Sequence, residues 1–183
     1  MITNRIGKFE ESTRIVKALH IEGKRALDLG CGKAEHTLPL GDLMLVDAIK
    51  MEGAPEGVLI ADIRNIDPIV ESNRFGTVYL LDVMEHLTKV EGLKLLKELE
   101  RHCDRIVFFT PLGDLWMTND DHPYSHKCGW MPKEAVDLGY KVWEWPIFHK
   151  FADGQIHGAF WAWKDSVKTP SADSIAKLAG VAP

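Results

Sequence analysis

Apolar and polar residues alternate in short blocks along this chain, and the blocks predict helices and strands in turn. Residues Glu10 to His20 read as an amphipathic helix with Ile15, Val16 and Leu19 on one side. Arg25 to Leu29 is a first strand, and Ala34 to Leu40 is a short helical segment blunted by Pro39. Asp42 to Val46, Gly57 to Ala61 and Thr77 to Leu81 follow as further strands. The clearest helix comes next. Thr88 and Glu91 have the spacing of a capping box, and Leu87, Val90, Leu93, Leu96 and Leu99 follow at helical intervals. Arg105 to Thr110 is a fifth strand, stopped by Pro111. Gly113 to Gly129 has little periodicity and reads as a functional loop or lid. Pro132 to Leu138 is a helix with proline near its start and Gly139 just past its end. Lys141 to Phe148 and Ile156 to Trp163 form two strands joined around Asp153-Gly154, and the polar tail, weakly helical from Ser174, is loosely attached.

Strands that alternate with helices predict an α/β fold. The expected architecture is Rossmann-like: a doubly wound, mostly parallel seven-stranded sheet with an antiparallel C-terminal hairpin. It forms one domain over residues 1–165, with a tail over 166–183. Ligands in such sheets bind outside the carboxyl ends of the strands, near the point where strand order reverses. Asp28, Asp47, Asp62 and Asp82 all fall at or near such ends.

Composition narrows the setting. With 183 residues, 45% of them hydrophobic and 27% charged, the chain suits one globular domain. A formal net charge of -5 argues against nucleic acid as a general partner, without excluding a local basic patch. Cys31, Cys103 and Cys128 show neither CxxC spacing nor a disulfide framework, which fits a reducing cytoplasm. No apolar run is long enough to span a bilayer, so no membrane partner is expected.

The chemistry concentrates around Arg25-Ala-Leu-Asp-Leu-Gly-Cys-Gly-Lys-Ala34. Gly30 and Gly32 lack a Cβ, so the backbone can turn sharply and a ligand can come close. The helical segment that follows is expected to offer unpaired N–H groups to an anion, either a pyrophosphate or a carboxylate. Asp28 is a candidate acceptor for an ammonium group, and Asp47 is placed to hold both hydroxyls of a ribose. Asp62 and the Ile63 N–H are candidates for the adenine edge. Such parts suit a ligand with adenosine at one end and an amino acid at the other. The bland alternative for each acid is a turn or capping role. A dinucleotide site would want a third glycine, where Glu35 and His36 stand instead.

Residues 25 to 111 resemble the core of the class I S-adenosylmethionine-dependent methyltransferases. The matching pieces are Leu27-Asp-Leu-Gly-Cys-Gly-Lys-Ala-Glu-His-Thr37, Leu45-Val-Asp47, Ile60-Ala-Asp62 and Leu81-Asp-Val-Met-Glu-His-Leu87. Ala34 stands where that family commonly has its last glycine. The resemblance implies S-adenosylmethionine as cofactor, held by Asp28, Gly30, Cys31, Gly32, Asp47, Ala48, Asp62, Ile63, Asp82 and Val83. Asp82-Val-Met-Glu85 is not an N/D-P-P-Y/F sequence. It resembles instead the branch that methylates small molecules. The segment Pro123-Tyr-Ser-His-Lys-Cys-Gly-Trp130 is similar to a motif in that class, with Cys128 where the pattern carries serine.

Acceptor candidates lie in the aperiodic segment. His126 and His122 are the catalytic candidates, as a general base. His86, Trp116, Tyr124 and Trp130 are the substrate-binding candidates. For the histidines, a surface or hydrogen-bonding role is the plain alternative. Asp120-Asp121-His122 suggests a metal cluster but lacks a convincing further ligand, so no metal is expected. Trp143, Trp145, Trp161 and Trp163 read as core or subunit contact, which makes a homodimer one expectation. The expected function is methyl transfer to a small-molecule or sugar-like acceptor. A non-catalytic module with the same fold, or a protein or RNA methyltransferase, are the alternatives.

Overall fold

The computed structural model describes residues 6–71, 73–118 and 122–166. The expected tail beyond Ser166, and with it the helical reading from Ser174, lies outside them, as do Asp120 and Asp121. Helix α1 (Ile6–Leu19) precedes β1 (Ala26–Leu29), β2 (Leu43–Asp47) and β3 (Leu59–Ile60). Then come α2 (Asp67–Val70), β4 (Phe75–Leu81), α3 (Lys89–His102), β5 (Cys103–Pro111) and α4 (Pro132–Asp137), before β6 (Lys141–Lys150) and β7 (Ile156–Asp165). The seven strands form one sheet in the order β3-β2-β1-β4-β5-β7-β6. Strands β1 to β5 pair in parallel, while β7 runs antiparallel to β5 and β6 antiparallel to β7. Strand order reverses between β1 and β4, so the ends of those strands open the crevice.

Period-two alternation divides the core between the faces of the sheet. Leu27, Leu29, Val78, Leu80, Ile106 and Phe108 pack with Leu95, Leu96 and Leu99 of α3 and Ala135 of α4. Ala26, Tyr79, Val107, Phe109 and Trp161 face the other way, against Val16 of α1. The Tyr79 hydroxyl donates to the Val16 carbonyl at 2.9 Å and so pins that helix to the sheet.

The capping box of α3 is formed: the Thr88 hydroxyl accepts from the Glu91 N–H, and the Glu91 carboxylate accepts from the Thr88 N–H at 2.8 Å. Its buried stripe differs from the expected one. Gly92, Leu95, Leu96 and Leu99 face the core, while Val90 is 78% exposed and Leu93 39%. A strict three-residue spacing drifts around a helix of 3.6 residues per turn, and the i, i+3, i+4, i+7 set stays on one face.

The connection from β1 to β2 also departs from expectation. No α-helix follows the glycines; a single 3-10 turn, Leu38–Leu40, takes its place. The backbone instead turns through left-handed positions at Gly30 (φ +70), Gly32 (φ +53) and Ala34 (φ +52). A Cβ built on Gly30 would lie 2.5 Å from Val83 Cγ2, so this turn and the turn after β4 are in backbone-to-side-chain contact. Two outcomes follow for unfolding in denaturant. Gly30→Ala loses about 2–4 kcal/mol through strain and overpacking. Ala34→Gly gains up to about 1 kcal/mol by relieving a left-handed alanine; a loss on Ala34→Gly would contradict the strain.

Candidate functional site

A cavity of about 490 Å³ opens where β1, β2, β3 and β4 end. Gly30, Asp47, Ala48, Asp62, Ile63, Asp82 and Val83 line it, as do His86 and Tyr124. The volume lies within the range of small-molecule sites. Asp28, Cys31, Gly32, Trp116, His122, His126 and Trp130 are not among its lining residues.

Asp47 ends β2 and is almost fully buried. Its carboxylate accepts from the Gly32 N–H at 2.7 Å, the Ile49 N–H at 3.0 Å and the Tyr124 hydroxyl at 3.1 Å. One side chain therefore joins the glycine turn, the end of its own strand and a segment 77 residues away. The Tyr124 hydroxyl donates to Oδ1 as a sugar hydroxyl would. Burial, with Asp47 beside it, pushes the Tyr124 phenol up to about 12, so it remains a donor at neutral pH.

Four N–H donors of the glycine turn, those of Gly30, Cys31, Gly32 and Ala34, are used within the protein. Gly30 and Cys31 give their N–H groups to the Val46 carbonyl at 2.8 and 3.0 Å, and Ala34 gives its own to Cys31. The expected anion-binding helix start is therefore absent. In its place the turn is braced from β2. Burial raises the Cys31 thiol to about 12, which makes it a packing residue.

Asp28 sits at the end of β1 and accepts from the Thr37 hydroxyl at 2.5 Å, while its other oxygen is buried without a partner. Burial raises its pKa to about 7; Asp47 adds to the rise and the Thr37 bond opposes it. Asp62 is 49% exposed, caps the 3-10 turn Ile63–Asn65 and grips the Arg64 guanidinium. Those bonds hold its carboxyl below the usual range. Its outward edge reaches the cavity, and its hydrogen bonds serve Arg64.

Asp82 follows β4 in the left-handed region at φ +55 and gives its N–H to the Phe109 carbonyl. The next turn, Met84–His86, places Glu85 in the core and His86 at the cavity. Burial raises the Glu85 carboxyl well above its ordinary value, and Asp82 adds to this. Burial lowers the His86 imidazole, and His126 lowers it further; their rings meet edge to face at 4.9 Å.

The acceptor candidates separate. Tyr124 and His86 reach the cavity. His126 stands behind His86, with Nδ1 2.5 Å from the Leu115 carbonyl. His122 is exposed, and its ring accepts from the Tyr124 N–H at 3.2 Å, the local bonding role. Trp116 packs its ring on His126, His149 and Phe151, outside the cavity. Trp130 is a core residue: it is fully buried, donates from Nε1 to the Met84 carbonyl at 3.1 Å and packs where Gly92 lacks a Cβ. Sequence reasoning missed Thr110 and Lys127, whose partner Glu85 is far away in the chain, and Thr37, which reaches back to Asp28 across the glycine turn. Three of the four hairpin tryptophans, Trp143, Trp161 and Trp163, line a groove beside α1 with Ile15, Ala18 and Leu19, while Trp145 packs on Trp143 and Phe148.

No protein-family model matches the chain, and no curated protein sequence is similar to it. Solved structures share its fold. The N-terminal domain of EvdMO1, determined with SAH and D-fucose, is 14% identical with a TM-score of 0.54, over 86% of this chain and 82% of that one. The glycopeptide N-methyltransferase MtfA, complexed with S-adenosyl-L-homocysteine, is 14% identical with a TM-score of 0.58, over 86% and 89%. The small RNA methyltransferase HEN1 is 15% identical with a TM-score of 0.57, over 88% of this chain and 25% of that one. The chain thus has the class I methyltransferase fold.

The Asp28 carboxyl yields a pH prediction. Its folded pKa stands above the ordinary 3.8, so the folded chain holds the proton more tightly than the unfolded one. Its contribution to stability is complete below about pH 4 and is lost as pH rises through about 7. Asp28→Asn should therefore gain stability relative to the parent, by an amount on the order of a few kcal/mol, between about pH 5 and about pH 8. Parallel urea titrations at the two pH values test this, and an unchanged difference would refute it.

Proposed function

We propose that this protein is an S-adenosylmethionine-dependent methyltransferase acting on a small-molecule or sugar-like acceptor. The observation that carries the reading is the single cavity-lining set Gly30, Asp47, Ala48, Asp62, Ile63, Asp82 and Val83, gathered from four successive strand ends. In this reading Asp47 holds the ribose hydroxyls once Tyr124 yields Oδ1, and Ile63 with Asp62 borders the adenine. The turn at Asp82 and Val83 faces the amino-acid end. Gly30 keeps that turn and the first strand close. Asp28, Cys31 and Gly32 act from behind, by shaping the wall. The solved structures of this fold that contain SAH support the cofactor.

The acceptor end is bounded by His86, Leu87, Pro123, Tyr124 and Lys127. The Pro123, Tyr124 and Lys127 side chains wall that side, which suits a small acceptor better than a polymer. D-fucose in the EvdMO1 structure supports a sugar-like one. Methyl transfer needs the nucleophile in line with the sulfonium methyl, so positioning supplies most of the rate. His86, which touches the cavity, is better placed than His122 to meet an acceptor proton. One observation favours the non-catalytic module: the Gly30, Cys31, Gly32 and Ala34 N–H groups and the Asp47 carboxylate already have partners within the protein.

Calorimetry with S-adenosylhomocysteine tests the cofactor site. The parent should bind one equivalent. Asp47→Asn should weaken binding at least about tenfold, the loss of one charge-assisted hydrogen bond. Tyr124→Phe should bind as tightly or severalfold tighter, because Oδ1 is freed. No heat with folded protein would sink the reading. Binding without turnover across a panel of hydroxylated metabolites would select the module.

A further inference from the structure

Beside the cavity the Glu85 carboxylate and the rings of His86 and His126 converge, with one ligand-capable atom from each within 4.8 Å of the others. Glu85 and His86 belong to the turn after β4. His126 comes from a segment held against that turn by backbone bonds from Lys127 and Cys128 to the Glu85 carbonyl. Each member is also oriented. A carbonyl oxygen can only accept, so the Leu115 carbonyl fixes the proton of His126 on Nδ1 and leaves a lone pair on Nε2. The Thr110 hydroxyl donates to Glu85 Oε2 at 2.9 Å and so orients the carboxylate. His86 Nδ1 is buried with no hydrogen-bond partner. An orphaned buried nitrogen of that kind is unfavourable unless something binds it.

We propose that Glu85, His86 and His126 form a binding site for a divalent first-row transition cation, with open positions facing the cavity. Two imidazoles and one carboxylate are a donor set for such ions. The carbonyl behind His126 and the hydroxyl behind Glu85 are the outer partners that metal ligands usually have. Metal bonds of about 2.0–2.2 Å bring donor atoms to about 3–3.5 Å of one another. Small side-chain rotations close the present cluster to that size. Asp82, on the same edge of the cavity, adds negative charge.

The role of the ion rests on the methyltransferase reading. An acceptor hydroxyl bound at the open position would ionise more readily and be held beside the methyl donor. Its proton leaves to solvent. The oxygen lone pair forms the new O–CH3 bond, the C–S bond breaks, and its electron pair stays on sulfur, giving the neutral thioether. No oxidation or reduction is involved. The acceptor class is accordingly an alcohol, diol or phenol.

The test uses the full chain, stripped with chelator and then titrated separately with Zn2+, Mn2+ and Co2+. Calorimetry gives stoichiometry, and visible absorption of bound Co2+ reports nitrogen and oxygen ligation. The expected result is one ion per chain, with affinity at least about tenfold weaker in His126→Ala and in His86→Ala. His126→Ala is the safer variant, since His126 is only half-buried; circular dichroism verifies its fold. Saturable binding that is equal in parent and His126→Ala would overturn the proposal, as would no saturable binding by folded parent. S-adenosylhomocysteine binding is measured on the same metal-free samples. If metal binds with the expected His126 dependence while the nucleoside does not bind, the cation site stands and the methyltransferase reading fails.

Discussion

A buried carboxylate at the end of the second strand holds this site together. Asp47 is negative, nearly without solvent, and surrounded by donors from three parts of the chain: the Gly32 and Ile49 N–H groups and the Tyr124 hydroxyl. A desolvated carboxylate is tolerable only when its oxygens are bonded. Folding must therefore bring the glycine turn and the Tyr124 segment to the same point. The cavity exists because that convergence leaves space between Asp47 and the turn after β4. Its volume, lining and mouth all follow from where these donors must stand.

The same constraint accounts for the missing helix after β1. Where a helix start would offer free N–H groups, this turn spends them inward on Val46, Cys31 and Asp47. Left-handed residues make that possible, and Ala34 accepts strain that a glycine would escape. A consequence is a thinly covered sheet face. Among the described residues, α1 is the only α-helix packed with the core cluster that contains Tyr79, Phe109 and Trp161. Trp143 stays 41% exposed at the hairpin edge.

On the acceptor side, the histidines separate by the partner of the second ring nitrogen. His122 turns its ring to the backbone of its own loop and packs beside the Tyr124 ring. His126 is aimed by the Leu115 carbonyl toward His86 and Glu85. His86 lines the cavity but has a buried nitrogen with no partner. The three share a residue type, yet only the pair packed against Glu85, one from the turn after β4 and one from the segment after β5, stands in a setting that concentrates charge.

Periodicity, proline, glycine and the capping pair were enough to lay out every strand and the principal helix, because those signals are local. They reflect side-chain alternation, lost N–H donors and positive φ, and each acts within a few residues. The acids at the strand ends were equally readable, since strand ends in a parallel sheet point to one edge. Sequence spacing did not show that Asp28 turns to Thr37, that Asp62 grips Arg64, or that Trp130 goes into the core against Gly92. Nor did it join Glu85 to His126. Trp130 against Gly92 and Glu85 beside His126 are contacts between segments tens of residues apart, while Asp28–Thr37 and Asp62–Arg64 are short-range choices among several available partners. There the choice of partner is set by packing and desolvation in the assembled sheet, which no local pattern encodes.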